Sequence, residues 1–203
     1  PKLGAVKMNG LRLNIQKHEG DTLSNLSIFG SKLKKDNSRK TPIHARTILI
    51  ERAVLDITDH NQPQRPPMKF DNLHMSLDGF SLVGDSLDVD IEKLSFKEHS
   101  LSLRVSELNT NFSYTPTQMR LESFKMTTSQ SQLNADISLE YPEKGMRNFA
   151  ELVQIRSAFL PSTIGVDDIK SFMPDLGVGT INLDNGYLSG TLSDFKIGDL
   201  EIT

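Results

Sequence analysis

Four acidic residues between positions 85 and 92 form the densest group of side chains that could bind a metal ion. Asp85, Asp88, Asp90 and Glu92 offer the oxygen ligands that Ca²⁺ prefers, but a calcium loop bends sharply and usually has glycine at the bend. Here the acids alternate with apolar residues, which places them on the outer face of a straight strand. We therefore predict a solvated strand face and no metal site.

The remaining residues that could do chemistry show no catalytic or metal-binding spacing. No HExxH, GxSxG, Walker or GxGxxG motif occurs, and the chain has no cysteine that could act as a nucleophile or thiolate ligand. The sequence thus predicts no enzyme, no catalytic residue, no metal and no cofactor. The five histidines are scattered at His18, His44, His60, His74 and His99.

The charge balance argues against a nucleic-acid partner. The 203 residues include 23 basic and 26 acidic side chains, with a net charge of −3. A nucleic-acid binder would usually concentrate a basic excess on one face. The only basic cluster stands among glycine, serine and asparagine residues, which indicates a solvated loop; it consists of Lys32, Lys34, Lys35, Arg39 and Lys40.

Apolar residues recur along the chain in a stride of two, three and two positions. One copy is Ile48, Ile50, Ala53 and Leu55. Steps of two are typical of strands, and a step of three would turn the apolar side over unless a β-bulge absorbs one residue. The pattern predicts long bulged strands with one continuous apolar face. Further copies begin at Val6, Met68, Val89, Leu103, Met119 and Phe195.

The predicted fold is mainly β, a long bulged antiparallel meander curled into a groove. The connections between residues 86 and 141 are too short for any other pairing, and Asn185-Gly186 predicts a two-residue hairpin. We expect a curled antiparallel sheet over 1–143 and its continuation over 175–203. The expected strands are 5–16, 23–28, 43–58, 68–79, 86–97, 100–114, 118–127, 131–141, 179–184, 187–193 and 195–203.

A small helical insert is predicted near 145–174, in a region bounded by residues 144 and 174. Met146, Phe149, Leu152, Val153 and the stretch 156–159 follow helical spacing, and Pro161 ends the run. The stretch 167–174 has an acidic start, one apolar side and a proline at its end, which predicts a helix of one or two turns. The insert would pack on the sheet, either as a plain cover or as a gate.

The largest candidate site is the apolar face itself. Periodicity alone leaves two interpretations open: the core of a structural or adhesive β-sandwich, or the lining of a groove for apolar ligands. The residues expected to share this face are Val89, Ile91, Leu94, Phe96, Leu101, Leu103, Val105, Leu108, Phe112, Met119, Leu121, Phe124, Met126, Leu133, Ile137 and Leu139.

Two stretches resemble a known family. Residues 85–103, which read DSLDVDIEKLSFKEHSLSL, resemble the strand–turn–strand unit of TamB-like proteins of the Bacteroidetes group. Residues 162–176 resemble a second element of these proteins, which is followed by a glycine-bearing strand pair, here 186–195. One departure is Leu101, which follows Ser100 directly where the family usually has glycine. The AsmA-like proteins are similar to TamB and belong to the same wider group.

The resemblance implies a function as well as a fold. Proteins of this group extend through the periplasm as a curled sheet, a β-taco, and an N-terminal helix anchors them in the inner membrane. It implies that the apolar groove carries phospholipid acyl chains toward the outer membrane. It also implies a partner of the Omp85 barrel family in outer-membrane protein assembly. The chain starts and stops within strands, so we expect the anchor and the partner-binding part to lie outside this segment.

Overall fold

A computed structural model of the chain describes residues 1–28, 42–64, 66–142, 148–170, 177 and 179–199. These contain two short helices, α1 (Phe149–Leu152) and α2 (Val166–Ile169), and a helical segment at residues 25–28. The strands of the described residues are β1 (Lys2–Asn9), β2 (Arg12–Lys17), β3 (Ile43–Asp59), β4 (Met68–Val83), β5 (Ser86–Glu98), β6 (Arg104–Thr115), β7 (Gln118–Thr127), β8 (Gln132–Glu140), β9 (Gln154–Phe159), β10 (Ser162–Gly165), β11 (Thr180–Leu183), β12 (Gly186–Gly190) and β13 (Phe195–Gly198).

All the described strands belong to one open sheet. Strands β3 to β8 pair consecutively and antiparallel, then β9, β12 and β13 extend the sheet in that order. The predicted long meander with a small helical insert is thus confirmed. Four of the expected features lie outside the described residues: the basic cluster of residues 32–40, Met146, the stretch 171–174, and the last copy's Leu200 and Ile202.

Several β-bulges occur where the apolar pattern takes its step of three. At five of these steps, the second of the two residues between the apolar positions has a positive φ, between 50° and 68°. These residues are Gly10, Arg52, Asn72, Ser123 and Asp199. The strand pairing shifts register at the steps that contain Arg52 and Ser123. A left-handed residue accommodates the extra position, so the apolar side chains return to the same face.

The start of the sheet differs from the prediction. Strands β1 and β2 pair with β3 in parallel, end to end along its length. The connection between β2 and β3 is long enough for the crossover that parallel pairing requires. The strand expected at 23–28 is also wrong, because residues 25–28 are helical. The Asn25 side chain bonds Gln16 N at 3.0 Å and Asn14 O at 2.8 Å, and so occupies the edge of β2 in place of a strand.

The helical insert is smaller than predicted. Helices α1 and α2 lie inside the expected region, but the residues from Arg156 to Phe159 belong to β9 and not to a helix. Exposure alternates along β9, with Ile155 and Ser157 more buried than Gln154 and Arg156. Strand β9 pairs with the edge of β8. The spacing of the apolar residues here fits a helix as well as a strand, and the hydrogen bonds to β8 favour the strand.

The prediction of a hairpin at Asn185-Gly186 is wrong as well. Strands β9 and β10 together face β12 and β11 in a single register, in which Phe159 opposes Gly186 and Ser162 opposes Leu183. Asn185 therefore lies within a long strand pair, beside a short break at Leu160-Pro161. Proline has no N–H for the ladder, which explains the break. The chain reverses instead between β10 and β11, through α2.

Candidate functional site

The strand register aligns apolar residues in rows that cross the sheet. One row passes through seven strands, from β1 to β8, and each member directly opposes the next. It consists of Met8, Ile50, Met75, Leu94, Leu108, Met126 and Leu133. Because opposed residues share a face, this row is one uninterrupted apolar band.

A second apolar row crosses the other half of the sheet, from β5 to β13. It contains Val89, Phe112, Leu121, Ile137, Ser157, Leu188 and Ile197. The neighbouring row on the opposite face is polar throughout. It contains Ser81, Asp88, Ser113, Arg120, Ser138, Arg156, Ser189 and Lys196. The sheet is therefore amphipathic across most of its width.

Strands β5 to β8 carry fourteen of the sixteen residues expected to line the apolar face. The other two, Leu101 and Leu103, lie in the connection before β6, because β6 begins at Arg104 and not at residue 100. The register also brings Phe96 opposite Val105 and Phe124 opposite Ala135.

This face is only partly shielded from solvent. Only Val89, Val105 and Phe124 are buried, with exposed fractions of 7%, 1% and 8%. The other thirteen expected residues are all partly exposed. In the described part of the chain, each strand makes its main contacts with its hydrogen-bonded neighbours, and α2 contacts β10. The described residues thus form one sheet and do not supply a second one to cover the apolar side.

A buried carboxylate at the end of β5 was not predicted from the sequence. Glu98 is 1% exposed. Its Oε1 accepts from Lys69 N at 3.3 Å, Ser100 N at 3.0 Å and Ser100 Oγ at 2.7 Å, and its Oε2 accepts from Leu101 N at 2.7 Å. Burial raises the pKa of Glu98, but these hydrogen bonds outweigh it and leave the pKa below its ordinary value.

Alternation along β5 could have located this carboxylate. Leu94, Phe96 and Glu98 are two residues apart, so the carboxyl belongs to the apolar side. Its hydrogen bonds fix the 98–101 turn, which is the position where the sequence departs from the TamB pattern. Glu98 binds its own turn and the start of β4, so its described contacts give it a structural role.

A second polar cluster joins α2 to the β7–β8 turn. Asp168 Oδ2 accepts from Thr128 Oγ1 and Ser131 Oγ, each at 2.5 Å, and Ser131 Oγ accepts from Gly165 N at 3.0 Å. Thr128 Oγ1 in turn accepts from Ser131 N at 2.8 Å. Each hydroxyl is engaged with the carboxylate, so the cluster holds α2 to the sheet and offers no activated nucleophile.

The acidic residues and histidines do not assemble into a metal site. Asp85, Asp88, Asp90 and Glu92 are exposed, as expected for an outer strand face. His99 Nε2 lies 2.5 Å from Asp71 Oδ2. The rings of His18 and His60 stack with their centroids 5.8 Å apart. Among the described residues, no group of three or more potential ligands could hold a metal ion.

Comparisons of the chain with protein-family models, with curated proteins and with solved structures gave no match. Neither α1 nor α2 is long and apolar enough to cross a membrane, and the other described residues contain no such helix.

Proposed function

We propose that the apolar face binds phospholipid acyl chains, and that this chain is a segment of a bridge-like protein that carries lipid between two membranes. One observation carries the proposal: continuous apolar rows lie on a sheet whose apolar side stays partly exposed and is not covered by a second sheet of described residues. A broad apolar surface that a protein covers only in part usually marks a binding site. A sandwich core would instead bury most of these side chains.

The energetics of such binding are favourable for an acyl chain. Each CH₂ removed from water contributes about 0.8 kcal/mol, and a partly exposed leucine or methionine gains in the same way when an alkyl chain covers it. A row of apolar residues without an intervening charge allows a chain to bind at any position along it. The headgroup can remain in water at the open side of the face.

The dimensions of the rows suit an extended alkyl chain. Seven strands at a spacing of about 4.8 Å give a row roughly 29 Å long. The bulges beside the rows increase the local twist and bend the strands, so they supply the curvature of a trough. Transport of this kind requires binding and release only, and no residue has to act as an acid, base or nucleophile.

The cellular setting is proposed from the family resemblance of residues 85–103 and 162–176. In this proposal the segment lies in the periplasm, between an inner-membrane anchor and an Omp85-type barrel that parts outside this segment contact. The lipid then moves along the apolar face toward the outer membrane.

A pair of variants on β7 tests the proposal. Leu121 lies on the apolar face and is partly exposed, whereas Lys125 lies on the same strand and is exposed. Leu121→Asn should strongly reduce the uptake of a fluorescent phosphatidylethanolamine from vesicles of phosphatidylethanolamine and phosphatidylglycerol, and Lys125→Asn should not. Val105 is unsuitable because at 1% exposure a polar side chain there would disrupt the fold itself.

Circular dichroism and urea unfolding of both variants establish that they are folded. A folded wild-type protein that takes up no lipid would overturn the proposal, as would a folded Leu121→Asn variant with unchanged uptake. If Leu121→Asn instead unfolds a protein that carries no lipid, the face is an ordinary core.

A further inference from the structure

Ser157 is the polar member of the second apolar row. It lies on β9 and directly opposes Ile137 on β8 and Leu188 on β12. Both of these neighbours are partly exposed apolar residues. The hydroxyl therefore lies among side chains that can offer it no hydrogen bond.

The hydroxyl of Ser157 is buried and has no partner. The residue is 7% exposed, and its Oγ is the only buried side-chain polar atom in the described part of the chain without a hydrogen bond. Leaving such a group unsatisfied costs about 1–3 kcal/mol. Buried hydroxyls elsewhere are satisfied: Thr110 Oγ1 donates to Glu122 O at 2.9 Å, and Ser162 Oγ donates to Leu160 O at 2.7 Å.

We propose that the Ser157 hydroxyl donates a hydrogen bond to the ester or carboxyl carbonyl of a lipid bound on the apolar face. The inference rests on the proposed function and adds a fixed polar contact to it. An alkyl chain cannot accept a hydrogen bond, whereas a carbonyl can, and a lipid has its carbonyl at the head of the alkyl chain. Among apolar ligands, an acyl ester or fatty acid therefore matches a row with a single hydroxyl in it.

The row also gives the ligand a direction. On one side of Ser157 it continues over Ile137 and Leu121 toward the centre of the sheet. On the other side it passes Leu188 and reaches Ile197, which is 51% exposed and lies on β13, the last of the described strands in this order. With the carbonyl at Ser157, the alkyl chain lies over the central strands and the headgroup lies over β12 and β13, where Ile197 is exposed to water. Rotation of the partly exposed Ile137 and Leu188 side chains gives the carbonyl access to Oγ.

The test compares an ester with a hydrocarbon of similar length. Binding of methyl palmitate and of hexadecane to the whole chain is measured by displacement of a fluorescent fatty-acid probe. Ser157→Ala should bind methyl palmitate about five- to tenfold more weakly than the wild type, the effect of one hydrogen bond of about 1 kcal/mol. Hexadecane binding should not change. Ser138→Ala, on the polar row of β8, is the matched control and should leave both affinities unchanged.

Urea unfolding without ligand provides a second measurement. Removal of an unsatisfied hydroxyl should leave Ser157→Ala as stable as the wild type or more stable, so a less stable variant would overturn the inference. Equal effects on ester and hydrocarbon, or no effect on either, would overturn it too while the proposed lipid-binding face stands. A wild type that binds neither ligand would overturn both.

Discussion

The backbone N–H of Ser123 donates a hydrogen bond to Asp136 Oδ1 on the neighbouring strand, at 2.6 Å. Ser123 is the left-handed residue of the β7 bulge, with φ of 52°. Its amide lies where the register between β7 and β8 shifts, so the carboxylate supplies an acceptor at the irregular point of the ladder. A side chain of one strand thus stabilises the bulge in the next.

Removal of the Asp136 carboxylate should weaken this bulge. We expect Asp136→Ala to lower the free energy of unfolding by about 1–2 kcal/mol, since the Ser123 amide loses a charge-assisted bond. Asp136→Asn keeps an acceptor oxygen and should cost less. Urea denaturation measures both variants, with the exposed Asp90→Ala on β5 as control. Equal losses in Asp136→Ala and Asp90→Ala would show that the bond contributes nothing particular.

Glycine should be the better residue at position 123. A serine at positive φ carries a backbone strain that glycine avoids, so Ser123→Gly should raise the free energy of unfolding by about 1 kcal/mol. Lys125→Gly, two residues away at an ordinary φ, should lower it by about 0.5–1 kcal/mol because glycine loses more entropy in a strand. Thermal unfolding of the two variants compares them, and a change of the same sign in both would contradict the bulge assignment.

Glu98 should make the protein sensitive to acid. Its pKa in the folded state is lowered, so its contribution to stability is complete above the unfolded pKa of about 4.3 and is lost as the pH falls through the folded value. Glu98→Gln should be less stable at pH 7, because one carboxamide group cannot accept all four hydrogen bonds. Between pH 6 and pH 3 it should lose less stability than the wild type.

Unfolding free energies measured across this pH range distinguish the two proteins. Glu92→Gln, at an exposed position on the same strand, is the control and should follow the wild type closely. Parallel pH profiles of wild type and Glu98→Gln would mean that another group governs the acid response.

A methyl group at position 165 should disturb the attachment of α2. A Cβ on Gly165 would lie 2.4 Å from Gln130 Cβ and 3.1 Å from the Gln130 backbone oxygen. Relief of this overlap would move the β7–β8 turn that binds Asp168, so Gly165→Ala should cost about 1–3 kcal/mol. At Gly4 a Cβ meets nothing within 4 Å, and Gly4→Ala should be neutral or slightly stabilising. Chemical denaturation of both variants gives the comparison.

Local sequence was sufficient for the bulged strands and the apolar face. The positions of Arg52 and Ser123 follow from the apolar stride, because a skipped residue can keep the face only in a bulge. Fourteen of the expected lining residues lie on β5 to β8 for the same reason. In this part of the sheet, sequence neighbours are also pairing neighbours, so local pattern and long-range structure agree.

The errors arise where the partner is distant or the pattern is ambiguous. Residues 154–159 fit both helical and strand spacing, and only the unpaired edge of β8 decides between them. Asn185-Gly186 has the composition of a tight turn, but it faces Phe159-Leu160 in a strand pair whose register is set elsewhere. Ser157 was hidden by the first of these errors, since a residue in a presumed helix cannot be assigned to the apolar row.

The direction of the apolar rows, perpendicular to the strands, sets the step size of any movement along them. A ligand that advances along a row passes one strand at a time, about 4.8 Å per step. The row that runs from Met8 to Leu133 meets apolar side chains of closely similar size at every step, so no position along it is a deep trap. The distance that such a surface can span therefore grows with the number of strands, and the length of the strands sets only its width.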